Sequence, residues 1–117
     1  MNIAKLQKRI TEEKKRKKIC ILAHSYQSKE IKEIADYVGD SYGLSLKAKD
    51  TDAESIVMCG VRFMAETVKI LSPQKRVLLA NADAGCPMAE QIDKEQVQLF
   101  KREHPDYKVV AYINTTA

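Results

Sequence analysis

The stretch Ile19-Cys20-Ile21-Leu22-Ala23, followed directly by His24-Ser25-Tyr26-Gln27, decides the fold. Its apolar run is continuous, with no polar residue at alternate positions. A strand with one wet face alternates, so an unbroken run suits a strand buried on both faces, as in parallel sheets. Further short apolar runs follow at Ile56 to Cys59, Val77 to Ala80 and Val109 to Ile113.

The segments between them carry helical spacing. Ile3, Leu6 and Ile10 mark a helix over about residues 2 to 16. Ile31, Ile34, Ala35 and Val38 fit one helix face, with Ser28 as N-cap. A second short helix is expected from about Ser41 to Lys49. Met64, Ala65, Val68 and Leu71 mark another, which Pro73 forbids to continue. Pro87 suits a first helical position and opens a helix through about Gln91. Asp93 and Gln96 form a capping box before Val97 and Phe100.

Strands alternating with helices predict βαβ units. The expected fold is α/β, a three-layer αβα sandwich with a roughly four-stranded parallel sheet, and residues 1–117 form a single domain. The sequence holds no internal repeat, low-complexity stretch or linker. It stops at Ala117 directly after the fourth run, where a sheet face would lack cover, which reads as a cut.

With 44% hydrophobic and 31% charged residues in 117, the composition is that of a soluble globular domain. No apolar run approaches the ~20 residues that span a bilayer. The N-terminus lacks a signal-peptide core, so a cytoplasmic location is expected. The formal charge of +4 is concentrated at Lys14 to Lys18. That block has no interleaved aromatics, so it reads as a solvated helix end and not as a nucleic-acid surface. The cysteines number three, Cys20, Cys59 and Cys86. None forms a CxxC pair, which argues against a disulfide framework. Cys20 and Cys59 lie in apolar runs and read as small buried hydrophobes.

In open parallel sheets, ligands bind beyond the carboxyl ends of the strands. The residues at those ends are His24, Ser25, Tyr26 and Gln27 after the first run, and Gly60 and Arg62 after the second. Asn81, Asp83, Gly85 and Cys86 follow the third, while Tyr112, Asn114, Thr115 and Thr116 end the fourth. The glycines Gly39, Gly43, Gly60 and Gly85 all fall in loop-like stretches. The phosphate-binding GxxxxGK[ST] and the dinucleotide GxGxxG are both absent, as are zinc signatures. His104 reads as surface. His24 is either a structural histidine or a functional one. Cys86 precedes a proline at an expected helix start, where backbone N–H groups favour thiolate, although a lone loop cysteine is usually inert. On residues alone, the ligand is a small anionic or carbonyl compound bound at the sheet edge.

At these residues the chain resembles the quinolinate synthases. The resemblance rests on ILAHSYQ (21–27), EIADYVGDSYGLS (33–45), IVMCGVRFMAETVKIL (56–71), DAGCPMA (83–89) and YINTTA (112–117). It implies the first of three similar αβα domains, in an enzyme condensing iminoaspartate with dihydroxyacetone phosphate to quinolinate for de novo NAD biosynthesis. It also implies a 4Fe–4S cluster to which each domain gives one cysteine, here Cys86. His24 would bind substrate, with Tyr26 contacting it or gating the site. Ser41 would hold a substrate carboxylate. Tyr112 would serve in acid–base chemistry or positioning, and Asn114 would hydrogen-bond the substrate. Ser25 and Thr116 depart mildly from the pattern. Family members are two to three times longer, so the remaining domains are implied partners and the isolated chain is expected to be inactive. No nucleic acid or membrane partner is implied. The alternative is a stand-alone flavodoxin-like module binding a small carboxylate or phosphate ligand.

Overall fold

The computed structural model describes residues 2–117. Its sheet has four parallel strands in the order β2-β1-β3-β4, formed by β1 (Ile19–His24), β2 (Tyr37–Gly39), β3 (Ser55–Cys59) and β4 (Arg76–Leu79). The helices are α1 (Ile3–Arg16), α2 (Lys29–Ile34), α3 (Ser41–Asp50), α4 (Arg62–Leu71) and α5 (Lys94–Glu103). β1 lies between β2 and β3, pairing Ile19 with Ser55 through Ala23 with Cys59 on one side and Leu22 with Tyr37 on the other.

Alternation along β1 divides the core in two. Cys20 and Leu22 pack with Ile56, Met58, Leu44, Ala48, Phe63, Met64 and Val68, so α3 and α4 cover that face. Ile21 and Ala23 pack with Cys59 and Ile34, so α2 covers the other. The helices change face where the strand order reverses. This is what right-handed crossovers demand when β1 to β2 runs one way and β2 to β3 to β4 runs back.

The helix ends follow local chemistry. The Asn2 side chain accepts from Lys5 N–H at 3.2 Å and starts α1. Asp40 accepts from Gly43 N–H at 2.6 Å and starts α3. Gly43 therefore belongs to the first turn of a helix and not to a loop. A Cβ there would stand 2.9 Å from Asp40 Oδ1, so glycine keeps the cap free of a clash. The capping box of Asp93 and Gln96 forms at α5 as its sequence indicates.

The structure departs from the sequence expectations in four further places. Val38 is not on a helix: α2 stops at Ile34, and Tyr37-Val38-Gly39 forms β2. The cause is Asp36, whose N–H donates to Ile21 O at 2.8 Å while its Oδ2 accepts from Ile21 N–H at 2.7 Å. These paired links draw the backbone into the sheet. Lys14 is not a solvated charge: it pairs with Asp36 at 3.1 Å and donates to Ile34 O at 2.8 Å, which fastens α1 over the end of α2. Val109 to Ile113 forms no strand but lies in irregular backbone, with Val110 93% exposed. Apolar β-formers make a strand only against a partner edge, and β4 pairs with β3 alone. Finally, Pro87 opens a single turn and no helix, with Ala89 and Glu90 N–H both donating to Cys86 O.

Lys18 leaves α1 with φ 53°, in the left-handed region where a glycine usually ends a helix. Replacing Lys18 by Gly removes a steric penalty of about 1 kcal/mol, and chemical denaturation should show a gain of up to that size.

Candidate functional site

Beyond the carboxyl ends of β1 and β2 the chain turns tightly. Ser25 N–H donates to Gly39 O at 3.0 Å and Gln27 N–H to His24 O at 2.9 Å. His24 is buried, and its Nδ1 accepts from Tyr26 N–H at 3.2 Å. In the neutral ring that bond leaves Nε2 as the proton-bearing nitrogen. The ring of Tyr26 lies 4.8 Å from that of His24, centroid to centroid, yet Tyr26 is 92% exposed. Gly60, after β3, leaves room for Met64: a Cβ there would stand 2.8 Å from Met64 Sδ, while at 3.8 Å from His24 Cβ it would make only ordinary contact.

Ser41 opens α3 immediately after β2 and its Asp40 cap. Its hydroxyl donates to Asn114 Oδ1 at 3.1 Å, joining two candidate residues 73 positions apart. The segment around Asn114 crosses the same edge. Thr115 Oγ1 donates to Ala89 O at 3.3 Å, and Ala117 N–H donates to Glu66 Oε2 at 2.6 Å. Glu66, on the flank of α4, was not among the sequence candidates. It lies off the Met64, Ala65, Val68, Leu71 stripe, so helical periodicity gives it no signal.

Cys86 is half-buried in the loop after β4, against the α3/α4 core. Arg62 pins that loop to the start of α4, donating through its N–H to Ala84 O at 3.0 Å and through Nη2 to Ala82 O at 3.2 Å. Cys20 and Cys59 are buried strand residues, as their sequence context indicates. Burial pushes the Cys20 thiol above its ordinary pKa, helped by the nearby Asp36 carboxylate, and burial alone does the same to Cys59. Among the described residues, no group of three His, Cys, Asp or Glu converges in a way that could hold a metal.

Tyr112 stands apart from His24 and Tyr26. It is 76% exposed and lines a cleft of about 360 Å³ with Tyr42, Glu66, Ile70 and Leu71. A groove of about 550 Å³ lies between α1 and the sheet, lined mainly by Leu6, Ile10, Ile21, Ile34 and Val57. It lacks convergent polar groups and reads as an incompletely covered sheet face. No helix among the described residues is long and apolar enough to cross a membrane.

Fold and edge chemistry define a parallel α/β unit that presents imidazole, hydroxyl, amide and a free thiol beyond its strand ends. The family model "Quinolinate synthetase A protein" matches residues 8–117. The chain is 54% identical over 115 residues to the quinolinate synthase of Aquifex aeolicus (strain VF5), covering 98% of this chain and 36% of that one. It is 52% identical over 117 residues to the quinolinate synthase of Caldicellulosiruptor saccharolyticus, covering 100% and 39%. With that of Alkaliphilus metalliredigens (strain QYMF) it shares 59% over 104 residues, covering 89% and 34%. The chain belongs to the quinolinate synthetase A protein family, and it spans little more than a third of these relatives. The stand-alone binding module gains no support from them.

The thiols should separate chemically. Iodoacetamide attacks thiolate, so Cys86 should be alkylated at least about tenfold faster than Cys20 or Cys59 at pH 8, read by mass spectrometry of timed digests. The raised pKa values of the two buried thiols stabilise the fold below the ordinary thiol pKa. Denaturation midpoints should therefore fall as pH rises through the raised values.

Proposed function

We propose that this chain is the first of three similar domains of a quinolinate synthase, condensing iminoaspartate with dihydroxyacetone phosphate to quinolinate in NAD biosynthesis. The observation that carries the reading is the Ser41–Asn114 hydrogen bond at the carboxyl edge of the sheet. With Asn114 Oδ1 occupied by the serine proton, both amide N–H donors are free for a ligand. When a carboxylate binds, the Ser41 hydroxyl is a rotor that can release Asn114 Oδ1 and turn its one proton toward the ligand. Together they hold a dicarboxylic substrate through neutral donors.

His24 supplies a second donor. Its Nδ1 is held by backbone, so Nε2–H meets a substrate oxygen without first having to choose a tautomer. Tyr26, exposed beside it, is free to contact the substrate or close over it, and its phenol can pass a proton. Tyr112 has the same proton chemistry and reaches the site as the segment carrying it meets the remaining domains.

The family resemblance implies a 4Fe–4S cluster, and the thiols supply a test of fit. Such clusters take cysteine thiolates. Cys86 is a free, half-buried thiol in a loop pinned by Arg62, whereas Cys20 and Cys59 sit within strands with their thiolates disfavoured. Cys86 therefore fits as one ligand, and the other two domains must bring the rest. Bound, the cluster would supply an open iron as a Lewis acid. The isolated chain, with one suitable thiol, would hold no stable cluster and show no activity.

Iron content decides this assignment in the full-length enzyme. Cys86→Ala should abolish cluster iron and its visible absorbance. Cys20→Ala and Cys59→Ala should each leave iron per protein near normal, and loss of iron in either would overturn the ligand assignment.

A further inference from the structure

Resting on that reading of Cys86, we infer that Arg62 is a positioning residue: its guanidinium holds the loop that presents the thiol, and so sets how firmly the enzyme keeps its cluster iron. The loop runs from Asn81 to Cys86, beyond the last paired residue of β4, Leu79. It closes on itself at Asn81, whose side chain accepts from Asp83 N–H at 3.0 Å and whose carbonyl accepts from Ala84 N–H at 3.1 Å. Among the described residues, every hydrogen bond that ties this stretch to a helix or strand comes from Arg62. Its N–H donates to Ala84 O at 3.0 Å and its Nη2 to Ala82 O at 3.2 Å.

The two bonds differ in role. The backbone N–H is one of the donors that any helix start leaves open. The N-cap of α4 is Val61, which has no side-chain oxygen to offer, so the Ala84 carbonyl satisfies one of them. Any residue but proline at position 62 could make that bond. The Nη2 bond belongs to arginine. Its donor is charged, and charge-assisted hydrogen bonds are about twice as strong as neutral ones. Among the described residues no carboxylate pairs with this guanidinium.

The anchor is itself rigid. α4 begins only two residues after β3 ends, and Phe63 and Met64, next to Arg62, are buried in the core. The loop's remaining hold is apolar, for Cys86 packs against the same α3/α4 core. Its carbonyl accepts from Ala89 and Glu90 N–H in the turn that follows. Apolar packing keeps a loop down without fixing its register, so the direction of the thiol depends on the turn before it, and that turn is the one Arg62 holds. A thiol that ligates iron must point one way, and a loop that opens more often releases its ligand more often.

The test uses the full-length enzyme, purified anaerobically with its iron, and follows iron release to excess chelator by the loss of visible absorbance. Arg62→Met removes the guanidinium and keeps the stem and the backbone N–H. It should release iron about tenfold faster than wild type, the loss of one hydrogen bond from a charged donor, with Tm unchanged. In the iron-free enzyme, Cys86 of this variant should be alkylated by iodoacetamide about tenfold faster, while Cys20 and Cys59 keep their rates. Arg62→Lys, which keeps a charged donor, should recover part of both losses. Wild-type iron release in Arg62→Met, no recovery in Arg62→Lys, or equal acceleration at all three thiols would each overturn the inference, the last because it marks general loosening of the fold. If Cys86→Ala keeps its iron, the reading of the cluster itself fails and this inference falls with it. If Cys86→Ala loses iron and Arg62→Met holds it at the wild-type rate, only the inference fails.

Discussion

A central parallel strand is closed on all sides: two neighbours take its backbone groups and two helical layers take its faces. β1 is that strand here, and the rest of the chain is arranged by what it requires. Leu22 and Ala23 are fully buried on opposite faces. Each face needs its own apolar cover, and the chain meets this with α3 and α4 on one side and α2 with α1 on the other. The reversal of strand order about β1 leaves a crevice at its carboxyl end, which is where open α/β sheets bind ligands. His24 is the last residue of β1. Its position is thus a consequence of core packing before it is a matter of chemistry.

The edge of β1 is secured by polar rather than apolar means. Asp36 closes a ring with Ile21, giving its N–H to the Ile21 carbonyl and accepting the Ile21 N–H on its carboxylate. This places an anion beside a strand, where an unpaired charge would be costly. Lys14 answers it from α1 at 3.1 Å. The pair is partly exposed, so its Coulombic contribution is modest. Its larger effect is geometric, since it fixes where α2 ends, where β2 begins and how α1 lies over the sheet. Lys75 acts similarly at the opposite end of the sheet. It is buried and gives its ammonium protons to the carbonyls of Thr51 and Ala53, so its charge is met by backbone dipoles.

The sequence made β1 and β3 legible because burial on both faces writes an unbroken apolar run, and β4 carries such a run although it is an edge strand with Leu78 exposed. β2 escaped for the opposite reason. Tyr37-Val38-Gly39 is short, sits on an edge and is largely exposed, so it leaves no run, and Val38 falls by coincidence at a helical spacing from Ile31 and Ile34. Val109 to Ile113 shows the converse: the local signal for a strand is strong, but strand formation is a tertiary event that needs a free, covered edge. At the site, the rule of strand ends pointed to His24 and, after a run that forms no strand, to Asn114, while Ser41 entered only through the family resemblance. The rule could not find Glu66, because a carboxylate on the polar flank of a helix looks the same whether it meets solvent or a distant peptide N–H. Nor could it show that Lys14 is paired, since a charge run does not reveal which member turns inward.

The cysteines show how strand geometry assigns chemistry before reactivity does. Cys20 pairs in register with Ile56, and Cys59 with Ala23, so the two lie three register positions apart on adjacent strands. Side chains alternate along a strand, and their packing puts Cys20 in the α3/α4 core and Cys59 in the α2 core. The sheet itself stands between them. Neither thiol could reach the other without a strand leaving the sheet, and that would expose the core on which the fold rests. Cys86 faces no such barrier. Its loop carries no ladder hydrogen bonds, and Arg62 holds it from outside. A fold of this kind can therefore hold buried thiols as inert packing while offering one at its working edge, and the distinction rests on backbone topology.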